Sequence, residues 1–232
     1  LHVHSTATIA NAISQSSESD LKKYLDEDFI FIPYCRPGFT LTMEIKKLIL
    51  PSTNILVLEN HGLIVAGDDI EDTYKLLLKI HKKLDLIRNE KLAFDYLEKI
   101  TNIDGYIHKN TDKYKLFSTQ NEKLFSLFPK SFYPDHVIFL GPGIPTFLEE
   151  KEAIEFIQNL KRKSIDLPPY FILKYKGLFE NTLAIPAAKE MIDCFLEVLL
   201  RIDLSKSLKI LSSQQESELL NWDIEIYRQS IN

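Results

Sequence analysis

Six histidines, at positions 2, 4, 61, 81, 108 and 136, are the side chains in this 232-residue chain best suited to metal or proton chemistry. Two of them form a His-x-His pair, His2 and His4. In an extended segment alternate side chains share one face, about 6.6–7 Å apart along the backbone. From there both ring nitrogens can converge on one metal at about 2.0–2.1 Å. His61 stands at a break between two apolar runs and is followed by Gly62, whose backbone freedom permits a sharp turn that exposes the imidazole. Three neutral imidazoles with one open position make a catalytic zinc arrangement. Spacing alone leaves a plainer alternative open: a chance pair, and a turn histidine bonded to its own backbone.

The elements around these residues follow from periodicity. Residues 54–58 predict a buried strand, residues 59–62 a turn-like break, and residues 63–66 a second strand ending at Gly67. Two apolar strands about so short a break predict an antiparallel pair. Asp68 and Asp69 then cap a long helix over 70–88, with Leu76, Leu77, Ile80, Leu84 and Ile87 on its apolar stripe. Upstream, residues 5–16 are compatible with a helix, a short helix runs to Leu25, residues 29–32 form a strand stopped by Pro33, and residues 40–50 form a helix stopped by Pro51. Residues 101–131 are polar and irregular apart from a short helix over 123–127, and mark a soft boundary. Beyond it the pattern predicts strands over 137–140 and 170–175, with helices over 148–163, 184–201 and 212–228. In the last helix Ser213 and Glu216 resemble a capping box, and Leu219, Trp222 and Tyr227 form a packing stripe. No internal repeat is visible in the sequence.

Composition narrows the function classes. The 33 acidic and 28 basic residues give a net charge of −5, so no nucleic-acid partner is expected. No apolar run reaches the roughly 18 residues of a membrane span. Two cysteines, Cys35 and Cys194, stand far apart without a CxxC, which suits a reducing compartment. A cytoplasmic protein without membrane contact is expected. Leu1-His2-Val3-His4 has neither an initiator Met nor a basic leader, so the sequence is expected to begin inside something larger, or to have been trimmed. A nucleotide-binding reading fails, because Gly141-Pro142-Gly143 lacks a third glycine and places proline where a phosphate needs an N–H.

Two segments carry a family likeness. Leu1-His2-Val3-His4-Ser5-Thr6-Ala7-Thr8 resembles the first metal-ligand motif of the class II aldolase/adducin family. Leu58-Glu59-Asn60-His61-Gly62-Leu63-Ile64-Val65-Ala66-Gly67-Asp68 resembles the second, and residues 69–84 resemble the long helix that follows it. The likeness covers roughly residues 1–100. Tyr133-Pro134-Asp135-His136-Val137-Ile138-Phe139-Leu140-Gly141-Pro142, and more faintly residues 221–228, resemble the C-terminal region of long members related to rhamnulose-phosphate aldolases.

The resemblance implies a metal site of His2, His4 and His61 for Zn2+ or another divalent metal. It implies a sugar or sugar phosphate as substrate, cleavage of a ketose C–C bond through a metal-stabilised enediolate, and a homo-oligomer, commonly a tetramer. An epimerase or dehydratase on the same scaffold, or a non-catalytic adducin-like scaffold, are the alternatives. The family's phosphate loops and acid/base glutamate lie upstream of the His-x-His motif, so the general base is expected upstream of residue 1. A chain without those parts is expected to bind metal poorly and to catalyse nothing alone.

The implied fold is α/β: three layers, α/β/α, with a mixed, largely antiparallel central sheet, plus a smaller α/β C-terminal extension. Residues 1–128 are expected to be the C-terminal portion of the metal-binding domain and residues 129–232 the extension. His81 falls where the family often carries an acidic helix residue, and is read either as an exposed helix residue or as a group that supports a ligand. Glu59 is a poor substitute base, because neighbours on a strand face opposite ways. His136 is expected to be structural and His108 an inert loop residue. Tyr106, Tyr114 and Tyr133 are candidate proton donors that no motif selects among.

Overall fold

In a computed structural model that describes residues 1–95 and 103–221, the chain is α/β with two mixed four-stranded sheets. Two compact units are present. One comprises Leu1–Arg88, Phe132–Pro134 and Glu197–Leu219, and the other takes the remaining residues. These units interleave along the chain.

The first unit begins with β1 (His2–Val3), α1 (Thr6–Ala12), α2 (Ser17–Tyr24), β2 (Ile30–Ile32), α3 (Phe39–Leu48), β3 (Ile55–Leu58), β4 (Gly62–Val65) and α4 (Ile70–Leu84). Its sheet has the order β1-β4-β3-β2, with β2 parallel to β3 and the other two pairings antiparallel. All four residues of β3 are buried, because each face meets helices. Ile55 and Val57 join Ala7, Leu21, Leu77, Ile80 and Leu84 in one cluster. Leu56 and Leu58 join Ile32 in another, against which Leu41 and Ile45 of α3 pack. Period-two alternation sends successive strand residues to opposite clusters.

The long helix α4 follows its predicted logic. Asp69 accepts hydrogen bonds from the Glu71 and Asp72 amides at 2.8 and 3.0 Å. Acids fill the first turn and His81, Lys82 and Lys83 the last, each favoured by the helix dipole. It ends at Leu84, four residues before the predicted end. Asn11 ties α1 to that end. Its amide donates to the Ala7 and Leu84 carbonyls, and its oxygen accepts from Arg88.

The segment Glu197–Leu219 belongs to this unit because its polar groups are committed to it. The Gln15 amide donates to the Ser207 carbonyl at 3.0 Å, and the Lys209 amide to that of Ile13 at 2.6 Å. Lys206 pairs with the buried Asp20, and Lys209 with the buried Glu59.

The second unit carries β5 (Tyr106–His108), α5 (Glu122–Phe125), α6 (Pro134–Leu140, shared with the first at its start), β6 (Thr146–Phe147), α7 (Glu150–Arg162), β7 (Tyr170–Leu173), β8 (Gly177–Asn181) and α8 (Pro186–Arg201), whose last turn lies in the first unit. Its sheet has the order β5-β8-β7-β6. Phe171, Phe179, Tyr106 and Leu173 pack with Ala153 and Ile157 of α7. α9 (Ser213–Leu220) closes the described chain.

Several expectations change. Residues 137–140 are helix, not strand. A four-residue apolar run cannot be assigned by periodicity, and Pro134 with Asp135 supplies a helix start. His136 therefore sits on a helix. β5 and β8 lie in stretches that gave no strand signal. Ser212, not Ser213, caps α9. Its hydroxyl accepts from the Gln215 amide, and its own amide donates to the Gln215 side chain at 2.8 Å. Trp222 and Tyr227, with the rest of the predicted helix to residue 228, lie outside the described residues. Among the described residues no helix is long and apolar enough to cross a membrane.

His136 is fully buried, with its ring edge-on to Phe195 at 4.6 Å, and loss of hydration pushes its pKa down to about 3. Unfolded, it takes up a proton below about pH 6.5, whereas folded it does not, so stability falls as pH drops through that window. The unfolding free energy from urea denaturation is expected to decline between pH 7 and pH 5, by up to about 1 kcal/mol per pH unit from this residue. His136→Phe is expected to flatten that decline, and equal slopes for both proteins would contradict the assignment.

Candidate metal centre

The three histidines reach one point by two routes. β1 lies at the sheet edge, where His2 pairs with Ile64 and Val3 with Leu63. Main-chain hydrogen bonds of 2.8 Å in both directions join Leu1 to Val65. The hairpin β3–β4 supplies His61. Leu58 pairs with Gly62 across a three-residue loop, and the His61 amide closes the turn on the Leu58 carbonyl at 3.2 Å.

Gly62 has φ 151°, and a Cβ added there would lie 2.4 Å from the Val3 carbonyl oxygen and 3.1 Å from the His4 Cα. Both neighbours are backbone and cannot swing aside. A hydrogen in place of a side chain is what lets β1 pass directly over the hairpin, with His4 beside His61.

Each residue of the hairpin loop has a fixed role. Asn60 adopts the left-handed conformation at φ 54°, and its buried amide donates to the Phe132 and Lys209 carbonyls at 2.8 Å each. The Glu59 carboxylate accepts from the Tyr34 amide at 3.0 Å and pairs with Lys209. It is an anchor for the loop. His61, between Asn60 and Gly62, is 8% exposed.

The imidazoles form a triangle, with ring centroids 5.0, 5.1 and 4.8 Å apart for His2–His4, His2–His61 and His4–His61. One nitrogen from each lies within 4.8 Å of the others, and the Nε2 atoms of His4 and His61 are 3.1 Å apart. Tetrahedral bonds of 2.0–2.1 Å place two ligand nitrogens about 3.3 Å apart, so the spacing fits a shared ion. Nδ1 of His2 donates to the Leu63 carbonyl at 3.1 Å. A carbonyl only accepts, so this bond places the proton on Nδ1 and leaves the Nε2 lone pair for a metal.

His81 is half-buried, and its Nδ1 lies 3.1 Å from the Ser5 hydroxyl. That same oxygen caps α1 by accepting from the Thr8 amide. His81 thus braces the residue that follows His4. The Ser5 and Asn60 roles escaped sequence reasoning. Ser-x-x before a helix was the available signal for the first, and nothing local marked the second.

The remaining candidates are engaged elsewhere. His108 lies on β5, not in a loop. Its Nε2 donates to the Lys176 carbonyl at 2.8 Å, and its ring stacks on Phe179. Burial lowers its pKa. The Tyr106 hydroxyl donates to the Pro168 carbonyl at 2.7 Å and that of Tyr114 to Asp193 at 2.8 Å. Tyr133 is buried. A cleft of about 630 Å³ in the second unit, lined by Phe139, Ile165, Leu183 and Ala188 among others, contains none of the three histidines.

The edge His-x-His and the hairpin histidine lie within a segment that the model of a known family matches. Residues 1–86 match the model of that family, described as the Class II Aldolase and Adducin N-terminal domain. A relative from Bacillus subtilis (strain 168), described as the uncharacterized oxidoreductase YuxG, is 26% identical over 93 residues. That stretch is 39% of this chain and 14% of the relative, so the chain spans a small part of the protein it resembles. No solved structure matches the chain.

Gly62→Ala tests the crossing of β1 over the hairpin. The added methyl meets fixed backbone at a strained φ, so a loss of about 1–3 kcal/mol or more is expected, with weaker metal binding. Urea denaturation and zinc titration check both. Wild-type behaviour in both would show that β1 does not cross so closely.

Proposed function

We propose that His2, His4 and His61 bind a divalent metal, zinc first among candidates, and that the chain is part of a metal-dependent sugar or sugar-phosphate lyase. The single observation that carries this reading is the convergence of three imidazoles at ligand spacing. A metal held there supplies Lewis-acid stabilisation of the oxyanion that develops when a C–C bond next to a carbonyl breaks. The protein's residues set the geometry. His2 is oriented by the Leu63 carbonyl, His4 by the Ser5–His81 brace, and His61 by its anchored neighbours.

Three nitrogen ligands would leave a fourth position open and, with expansion to five-coordination, room for two neighbouring oxygens of a ketose. The family likeness of residues 1–86 supports the substrate class and a homo-oligomer, because the family includes lyases of this type. It also includes non-enzymatic adducins, so metal content discriminates between the readings. The three-layer α/β/α arrangement is proposed as the setting, on the support of the two clusters that flank β3.

Metal analysis of the full-length protein by plasma mass spectrometry is expected to find about one divalent ion per chain, reduced about tenfold or more in His61→Ala, which removes one of three ligands. In the full-length protein, ketose phosphates are then expected to yield an aldehyde and a three-carbon ketone product, and its His61→Ala variant to yield neither. A well-folded wild type that holds no metal after zinc is added would contradict the enzyme reading and leave a scaffold.

A further inference from the structure

The two sheets share one topology. β1-β4-β3-β2 and β5-β8-β7-β6 each run antiparallel, antiparallel, parallel. Each has a helix between its second and third strands in chain order and a long helix after its fourth, α3 and α4 in one case, α7 and α8 in the other.

The match extends to single bonds at one constant sequence offset. Ile32 pairs with Leu58 as Phe147 pairs with Leu173, and Leu58 with Gly62 as Leu173 with Gly177. The His61 amide donates to the Leu58 carbonyl as that of Lys176 donates to Leu173, at 3.2 and 3.0 Å. Glu59 to Ile32 corresponds to Lys174 to Phe147, both 2.9 Å, and Ala66 to Asn54 corresponds to Asn181 to Pro169, both 2.8 Å. The loop residues Asn60 and Tyr175 share the left-handed conformation, at φ 54° and 62°, and a positive-φ glycine follows each loop. A three-residue hairpin alone is common, but the mixed strand order with the same bonds at one offset is much more specific.

We infer that residues 106–196 are a diverged second copy of the fold of residues 1–88, in which His108, Asn110 and Lys176 stand at the three ligand positions of a metal centre that this copy has given up. The register assigns them. His2 pairs with Ile64 and His108 with Phe179, each partner two residues past the hairpin glycine. Asn110 follows His108 as His4 follows His2, and Lys176 precedes Gly177 as His61 precedes Gly62.

The chemistry of the exchange explains the loss. A lysine ammonium has no lone pair and repels a cation, and a carboxamide is a weak ligand for zinc. The surviving histidine is put to structural use, bonded to the Lys176 carbonyl and stacked on Phe179. Asn110 and Lys176 replace His4 and His61, so the residues lost are those a metal needs, whereas Leu173, Gly177 and Leu178 preserve the hairpin. The inference rests on the reading of His2, His4 and His61 as a metal centre, and the chain then carries one metal, in its first unit.

Restoring the ligands tests the copy. The full chain with Asn110→His and Lys176→His, saturated with zinc and desalted, is expected to hold one equivalent more than wild type by plasma mass spectrometry. Adding His108→Ala removes that equivalent, and adding His61→Ala instead leaves it. A folded double variant that holds no more zinc than wild type would overturn the inference. If the double variant unfolds, Lys176→His alone, which gives two histidines at the site, is expected to gain cobalt binding that His108→Ala abolishes. No gain there counts equally against it. Failure of the first centre reads differently: wild type then holds no zinc, whatever the double variant gains.

Discussion

The crossing of β1 over Gly62 is the contact on which the rest of the site depends. The Val3 carbonyl oxygen lies 2.4 Å from where a Cβ on residue 62 would stand, closer than any side chain there allows. That approach brings a histidine pair from the edge strand against a histidine from the hairpin, although they are separated by more than fifty residues of chain. The loop cannot relax away from the strand, because Glu59 and Asn60, which precede His61 in it, are bonded into buried surroundings. Buried polar groups of this kind cost stability unless paired, and here each is paired with backbone or an ammonium. They contribute position more than binding energy.

The same region shows why a three-imidazole cluster is stable to fold. Only one of the three rings is buried; His2 and His4 are exposed. The desolvation cost falls on one ring, and the side of the cluster that His2 and His4 form stays near water. The core that supports the cluster is ordinary aliphatic packing: Leu63 and Val65 of β4 lie against Leu77 and Ile80 of α4.

Much of the first unit was legible in the sequence. The antiparallel β3–β4 pair, the Asp69 cap and the apolar stripe of α4 all follow from local spacing, because each is decided by residues close together in the chain, whereas the grouping of His61 with His2 and His4 came from the family likeness, since 57 residues separate His4 from His61. The bonds of Asn60 were not legible, since its acceptors lie 72 and 149 residues away. Residues 137–140 misled because a short apolar run suits a strand and a buried helix equally well, and Pro134 was the arbiter. The shared topology of the two sheets was invisible for a different reason. Hydrogen-bond pattern and backbone sign persisted, while the side chains that would reveal a repeat changed, with Leu173, Gly177 and Leu178 almost the whole of the surviving likeness about the hairpin.

X-ray absorption at the metal edge of the zinc-loaded chain tests the central claim most directly, because it reads the ligands themselves. The account predicts three nitrogen neighbours at about 2.0–2.1 Å with the outer-shell scattering of imidazole rings, and one or two further oxygens. A spectrum with sulfur neighbours, or with oxygen alone and no imidazole signature, would place the metal elsewhere and contradict the assignment of His2, His4 and His61.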